Sequence, residues 1–286
     1  MKKIFGELNL SWPKIIIGAI LIGVYCGAIQ LVPALHNTSL TDINVTFEVW
    51  ILFGILIIMN SNSAKESALK CFVFFLISQP LIYLVQDLVN KSQLLHTYYR
   101  NWVIWTIGCV PMGFLGYFMK KDKWWGLVIL TPIMGLLGLS LMQYLSATIF
   151  SFPRHLATVI FCIATIIIYP LFIFENKKIK IAGAIISGLI IIAAVVINII
   201  NPPVYDTEIL LNSEKNNFDD TYHTYLVDSK YGELNIEYEP VIDSYSVHAK
   251  LKKAGSTEFV IESPEGEKKV YEIDIERDTF KVKPKE

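Results

Sequence analysis

The chain has 286 residues, of which 53% are hydrophobic, and its formal net charge is -1. This composition is too apolar for a typical soluble protein. Residues 1–200 carry +7 (14 Lys and Arg against 7 Asp and Glu), whereas residues 201–286 carry -8 (11 against 19). The asymmetry indicates two parts in different surroundings. Without a basic patch interleaved with aromatic residues, the sequence also gives no support for nucleic-acid binding.

Long apolar runs separated by short polar gaps fill the first 200 residues. A helix rises about 1.5 Å per residue, so about 20 residues cross the roughly 30 Å hydrocarbon core of a bilayer. We predict seven spans, at residues 14–35, 45–60, 68–89, 101–119, 124–146, 155–174 and 181–200. The second span is the shortest and carries Glu48 near its start.

The placement of basic residues predicts the orientation. If all seven helices cross, one side holds eleven Lys residues, whereas the short loops of the other side hold only Lys91, Arg100 and Arg154. Lys and Arg collect on the cytoplasmic side of short loops, so we expect a cytoplasmic N-terminus and an extracytoplasmic C-terminus. Without the second span the bias disappears, which favours seven crossings.

Small residues predict where helices touch. Ala19, Gly23 and Gly27 repeat every four positions in the first span, and Ala184 and Gly188 do so in the seventh. Such spacing places small side chains on one helix face, where two backbones can approach closely. We therefore expect these two faces to pack within the bundle.

Proline interrupts four spans and defines a candidate polar membrane site. Each proline removes one amide donor and frees a carbonyl one turn earlier, and such carbonyls either line a path, as in transporters, or bond to neighbouring helices. Ser78, Gln79 and Pro80 form the one polar cluster at mid-depth. Gln79 either marks a pathway or joins two helices by a hydrogen bond. The prolines are Pro80, Pro111, Pro132 and Pro170.

Six ionisable residues fall near the predicted outer interface and form a candidate outer-rim cluster. They are Glu48, Asp87, His96, Arg100, Arg154 and His155. They either share a site at the mouth of the bundle or are hydrated separately on its rim. The predicted spans place no ionisable residue near their centres, which argues against a proton-coupled transporter.

No motif of catalysis or metal binding is present in the sequence. The four Cys lie in apolar runs without a CxxC pair, and the five His lack metal-ligand spacing. Neither a GxSxG elbow nor a Walker lysine is found. We therefore expect a protein that is not an enzyme and has no cofactor or metal site.

The pattern changes after Asn201-Pro202-Pro203. Apolar and polar residues then alternate with a period of two, which is typical of strands. Strands are predicted at 207–211 and 222–227 and around Leu234, Val247, Phe259, Ile273 and Val282, with a turn at 264–267. We predict a membrane domain at 1–200, a linker at 201–205 and a small all-β antiparallel sandwich at 206–286.

Two segments resemble known families. Residues 251–261 (LKKAGSTEFVI) and 270–275 (VYEIDI) resemble the closing hairpin of bacterial Ig-like domains, which implies an Ig-like sandwich that binds or spaces. Residues 61–84 (SNSAKESALKCFVFFLISQPLIYL) resemble a family of uncharacterised integral membrane proteins of Gram-positive anaerobic bacteria. The second resemblance implies a bacterial cell membrane and no particular activity.

Together these features favour a multi-pass membrane protein that presents its sandwich outside the cell. The sandwich would recognise an envelope protein or glycan, and the bilayer would be the other partner. The alternatives are a transporter or channel with a path near Gln79, or an accessory subunit of a larger membrane complex. The sequence does not define the oligomeric state.

Overall fold

The computed structural model describes residues 5–6, 8–36, 38–45, 47–91, 94–209, 211, 218–239, 244–276 and 279–285. Its helices are α1 (Trp12–Gln30), α2 (Ser39–Val45), α3 (Phe47–Met59), α4 (Ala64–Asn90), α5 (Leu94–Gly116), α6 (Trp124–Phe150), α7 (Leu156–Ile173) and α8 (Lys177–Ile200). Within these residues, seven helical segments are long and apolar enough to cross a membrane, with α2 and α3 together forming the second. The helical part of the predicted fold is confirmed, and the chain is a multi-pass membrane protein.

The second span differs from the predicted one in a way that matters for function. It covers Ser39–Met59, 21 residues, so it starts six residues earlier than predicted. Glu48 therefore lies one residue from the midpoint of the span. The prediction that no ionisable residue lies near the centre of a span was wrong, because the polar residues of α2 had been assigned to the preceding loop.

Helices α1 and α4 pack through the small residues of α1, as predicted. A Cβ atom added at Gly23 would lie 2.7 Å from the carbonyl oxygen of Ser78, and one at Gly27 would lie 2.8 Å from that of Ile82. Ala19 is also buried. Close approach of the two backbones thus requires glycine at these positions, and it extends for more than one helical turn.

Helices α7 and α8 pack around Pro170, but through a different face of α8 from the predicted one. Pro170 cannot donate to the carbonyl oxygen of Ile166, and the hydroxyl group of Ser187 donates to that oxygen instead, at 2.8 Å. A Cβ atom at Gly183 would lie 2.4 Å from Cβ of Pro170. Ala184 is exposed, and Gly188 has no atom within 4 Å of an added Cβ, so the contact face lies one residue earlier than predicted.

Hydrogen bonds between loops stabilise the end of the bundle at which α1 and α4 begin. The carboxylate of Asp122, which precedes α6, accepts hydrogen bonds from the amide of Glu175 at 3.0 Å and from that of Asn176 at 2.9 Å, both just before α8. The side-chain oxygen of Asn60, which follows α3, accepts from the amide of Leu8 at 2.7 Å. These bonds fix the loops on the side that the charge bias predicts to be cytoplasmic.

The C-terminal part forms two antiparallel sheets, which confirms the predicted sandwich. Its described strands are β1 (Tyr205–Ile209), β2 (His223–Leu226), β3 (Gly232–Glu239), β4 (Ser244–Leu251), β5 (Gly255–Glu262), β6 (Lys268–Ile275) and β7 (Phe280–Pro284). The sheets have the orders β1-β4-β3 and β2-β5-β6-β7. Gly232 and Gly255, with φ of 147° and 137°, stand where the chain changes sheet.

This strand order differs from that of an immunoglobulin constant domain. There, the first, second, fifth and fourth strands form one sheet and the third, sixth and seventh form the other. Here the third strand pairs with the fourth, and the sixth lies in the sheet of the second. The likeness to Ig-like domains is thus limited to the two-sheet architecture, and the Ig-like relationship itself stays a prediction.

The chain divides into two compact units whose boundaries do not coincide with the end of α8. One unit comprises residues 1–144 and 154–196, and the other comprises residues 145–153 and 197–286. In the second unit, Phe150 is 3% exposed and belongs to the core of the sandwich with Val247, Phe259 and Ile273. Its carbonyl oxygen accepts from the amide of Ala254 at 2.8 Å. A residue at the end of α6 therefore completes a β core.

Candidate functional site: a buried acid–histidine cluster

The starts of α2 and α7 are joined by hydrogen bonds through Ser39. The hydroxyl group of Ser39 donates to the carbonyl oxygen of Arg154 at 3.0 Å and accepts from the amide of Thr158 at 3.2 Å. His155 occupies the N-cap position of α7 but makes no capping bond with its side chain. The amide of Thr158, which also bonds to the carbonyl oxygen of His155, thus gains a second acceptor from another helix, and α2 is fixed against α7.

This junction brings Asp42 against His155. Oδ2 of Asp42 lies 2.6 Å from Nδ1 of His155 and accepts from the hydroxyl group of Thr158 at 3.0 Å. The side chains of His155 and Asp42 are only 2% and 11% exposed. Because a carboxylate only accepts, Nδ1 carries the hydrogen, so Nε2 is an acceptor in the neutral ring and a donor in the charged ring.

Nε2 of His155 is buried and, within the part of the chain that the structure describes, has no hydrogen-bond partner. The imidazole ring stacks on Tyr144 of α6, with centroids 6.2 Å apart and planes at 29°. The ring is thus held at its Nδ1 and by its face, while its second nitrogen is available to a proton or a small ligand.

Glu48 extends the cluster toward the middle of the bundle. Its side chain is fully buried, and the hydroxyl group of Ser140 on α6 hydrogen-bonds its carboxyl group. Ser140 lies ten residues before the end of α6, which is about 15 Å along the helix axis. The charge of Asp42 also acts on Glu48. We define Asp42, Glu48 and His155 as the acid–histidine cluster.

The cluster has more acid than base. Two carboxyl groups and one imidazole carry a net charge of -1 when all three are ionised, and -2 when the ring is neutral. Ionised groups away from water cost several kcal/mol each unless they are paired. Among the described residues, no three His, Cys, Asp or Glu side chains are placed to hold a metal ion. The acid–histidine cluster is therefore suited to bind a proton, which neutralises its excess negative charge and needs no set of coordinating ligands.

The structure places the predicted rim residues differently. Glu48 and His155 meet in the acid–histidine cluster, away from the surface. Arg154 takes part through its carbonyl oxygen, and its side chain is exposed. Asp87 lies half-buried near the end of α4. His96 and Arg100 lie in α5, and their side chains are outside the described residues.

Sequence reasoning missed Asp42, Thr158, Ser39 and Ser140. One local signal existed, because Ser39 and Asp42 have the Ser-x-x-acid spacing found at helix starts. That spacing would have extended the second span toward its N-terminus and brought both Asp42 and Glu48 into it. Thr158 and Ser140 carry no such signal.

The predicted polar membrane site has the character of a packing contact. Ser78 and Gln79 are buried, and the Ser78 carbonyl oxygen lies against Gly23 of α1. Pro80 lies inside α4, as predicted. Ser78 is thus at the closest approach of two helices, where an open path would need space that the α1 backbone occupies.

Comparison with known proteins gives no relative from which a role could be transferred. The chain matches no family model, no curated protein and no solved structure. The two family resemblances read from the sequence therefore stay predictions.

Proposed function

We propose that this multi-pass membrane protein is a non-enzymatic, proton-coupled membrane protein. The acid–histidine cluster is proposed to bind and release the proton. The observation that supports this most is a fully buried carboxyl group, Glu48, at the middle of a span, in one bundle with the buried His155 and the 11% exposed side chain of Asp42. Ionisable residues at such depth are costly to bury and commonly belong to proton relays or ion paths.

The arrangement suggests the direction from which the proton arrives. His155 stands at the start of α7, Asp42 bonds to it, and Glu48 lies six residues farther along the second span. The charge bias predicts that the starts of α2 and α7 face outward. We infer a route from the outer surface through His155 and Asp42 to Glu48.

Infrared difference spectroscopy on the purified protein tests the protonation state. We expect a C=O stretching band of a protonated carboxylic acid at neutral pH, with the shift in D₂O that such a group shows. Glu48→Gln keeps the shape of the fully buried side chain and should remove the band. Glu272→Gln, which changes an exposed carboxylate of β6, is the matched control and should retain it.

Coupling is tested in vesicles loaded with a pH-sensitive dye. Wild-type protein and Glu272→Gln should admit protons when the external medium is acidified, and Glu48→Gln should not. A wild-type spectrum without the carboxylic acid band would refute the proposal. Proton entry unchanged by Glu48→Gln would do the same, provided that the variant retains wild-type thermal stability.

A second function is proposed for the sandwich, namely binding of an envelope protein or glycan outside a bacterial cell. The edge strand β7 is lined by Lys281, Lys283 and Pro284, which discourage pairing with other chains. At the other edge of the same sheet, Tyr225 of β2 and the following Val227 are exposed. Exposed aromatic and apolar side chains of this kind support a recognition surface.

Site-specific photocrosslinking in the native host tests this second function. A photoreactive residue at Val227 should give a discrete crosslinked product, while the same residue at Lys281, on the opposite edge, should not. Equal products from both positions would contradict a recognition surface at β2. A transport path near Gln79 is not proposed, because the neighbouring Ser78 lies at the α1–α4 contact.

A further inference from the structure

A second polar site lies at the opposite end of the bundle, in a pocket of about 560 Å³ between the starts of α1 and α4 and the end of α3. Its wall includes Trp12, Asn60, Glu66, Lys70 and Lys120. These residues belong to the first unit, and none of them takes part in the acid–histidine cluster. The charge bias predicts that this end faces the cytoplasm.

Lys70 is the central charge of the pocket. The residue is only 3% exposed. Its ammonium group lies 2.5 Å from a carboxylate oxygen of Glu66 and donates to the Leu10 carbonyl oxygen at 2.6 Å. An ammonium group has three donors, and among the described residues these two oxygens are its acceptors. One N–H of a buried cation is therefore left for a ligand.

The other groups of the pocket also favour an anion. Lys120 brings a second ammonium group, which donates to the Ser61 carbonyl oxygen at 2.6 Å. Among the described residues of the lining, Glu66 contributes one carboxylate against the two ammonium groups of Lys70 and Lys120. The pocket also reaches the start of α1, where the helix dipole attracts negative charge and the Ser11 side chain makes no capping bond.

The position of Trp12 indicates how a ligand would enter. Its ring is 41% exposed and lies 5.8 Å below the ammonium group of Lys70. Tryptophan favours the headgroup level of a membrane, so this side of the pocket is expected to open where lipid phosphates lie. Basic pockets between spans on the cytoplasmic side commonly hold lipid headgroups.

We propose that this pocket binds a phosphate group carrying one negative charge. The phosphodiester of an anionic phospholipid and free inorganic phosphate share this chemistry. The ligand would accept hydrogen bonds from Lys70 and Lys120, and its charge would balance the lining.

The test uses the full chain in a nonionic detergent, with native mass spectrometry and thermal unfolding as readouts. Dioleoylphosphatidylglycerol, dioleoylphosphatidylcholine and inorganic phosphate are added separately. Lys70 is left unchanged, because it also donates to the Leu10 carbonyl oxygen and its replacement would disturb the segment before α1. The variants are Lys120→Gln, Glu66→Gln and the control Lys65→Gln, which alters an exposed residue of the same helix end.

We expect Lys120→Gln to weaken anion binding about fivefold, since one basic group near a membrane surface contributes about 1 kcal/mol. Glu66→Gln should strengthen binding, because it removes the competing carboxylate. It also preserves the start of α4, where Glu66 accepts from the amide of Asn62 at 2.8 Å and glutamine can do the same. Lys65→Gln should bind as the wild type does.

Each outcome is decisive. Binding of phosphatidylglycerol but not of inorganic phosphate identifies a lipid headgroup, and binding of both identifies a general phosphate site. The proposal is overturned if neither anion binds better than phosphatidylcholine, or if Lys65→Gln weakens binding as much as Lys120→Gln. Stronger binding by Lys120→Gln together with weaker binding by Glu66→Gln would indicate a cation site and would also overturn it.

Discussion

Replacement of Phe150 by alanine should destabilise the sandwich, although Phe150 precedes its first strand by more than fifty residues. Phe150 belongs to a core built otherwise from residues of the strands and the loops between them. Its carbonyl oxygen bonds to Ala254 through the backbone, so alanine keeps that bond. The substitution therefore isolates the contribution of the aromatic ring.

The expected loss is large relative to the stability of so small a core. A buried aromatic side chain covers roughly 150–250 Å², and Phe→Ala in a core costs about 3–5 kcal/mol. Domains of this size have only about 3–5 kcal/mol from a single hydrophobic core. Phe150→Ala should therefore leave the sandwich near the midpoint of its unfolding equilibrium while the helices stay folded.

Hydrogen exchange followed by mass spectrometry measures this directly. Amides of β4 and β5, which surround Val247 and Phe259, should lose most of their protection in Phe150→Ala, whereas those of α4 should not. Phe152→Ala is the control, because Phe152 is 72% exposed and its loss should cost less than about 0.5 kcal/mol. Wild-type protection of β4 and β5 in Phe150→Ala would refute the reasoning, as would equal losses in the two variants.

Further predictions concern the α7–α8 contact, the orientation and the charge pairs of the sandwich. Gly183→Ala should lower the thermal stability of the bundle, because its Cβ would meet Pro170, while Gly188→Ala, in open space, should not; equal shifts would count against this packing. Ser187→Ala should cost about 1 kcal/mol, the scale of an interhelical hydrogen bond, in a reversible unfolding assay. On intact cells, an impermeant maleimide should label a cysteine that replaces Ser229 but not one that replaces Lys123. Lys123 is chosen rather than the adjacent Asp122 because the Asp122 carboxylate holds a loop. The reverse labelling pattern would show that the predicted orientation is wrong. Lys252 lowers the pKa of Glu233 by a hydrogen bond, so this pair stabilises the sandwich at neutral pH and the effect is lost as the pH falls through the lowered pKa. The difference in hydrogen-exchange protection of the sandwich between wild type and Lys252→Gln should thus shrink as the pH is lowered from about 5 toward 3. A difference that stays constant over this range would contradict the prediction.

Local patterns predicted the secondary structure well, because period and composition determine which face of an element avoids water. Tyr271, Ile273 and Ile275 alternate along β6, and all three are buried. The same alternation failed for Tyr238, which is half exposed and lies next to the last residue of β3. Periodicity assigns a side to a residue but not its depth.

The candidate site was only partly predictable, because its bonds join distant positions. Asp42 and His155 are 113 positions apart, and neither has a local pattern that names the other. The sequence predicted that Glu48 and His155 lie at the same end of the bundle, because successive spans alternate in direction. That prediction concerns topology and does not identify a contact. Phe150 was not predictable, because an apolar residue at the end of an apolar helix has the same sequence signature whether it faces lipid or enters a core.

The hydrogen bond from Lys70 to the Leu10 carbonyl also constrains how often the chain crosses the membrane. Leu10 precedes α1, and Lys70 lies in the second turn of α4, so among the described residues α1 and the second span are the candidate crossings between them. Two groups in direct contact lie on the same side, and the number of crossings between them must be even. If the 19-residue helix α1 crosses the bilayer, the second span therefore crosses as well. A single contact thus supports, by counting alone, the crossing of the shortest predicted span.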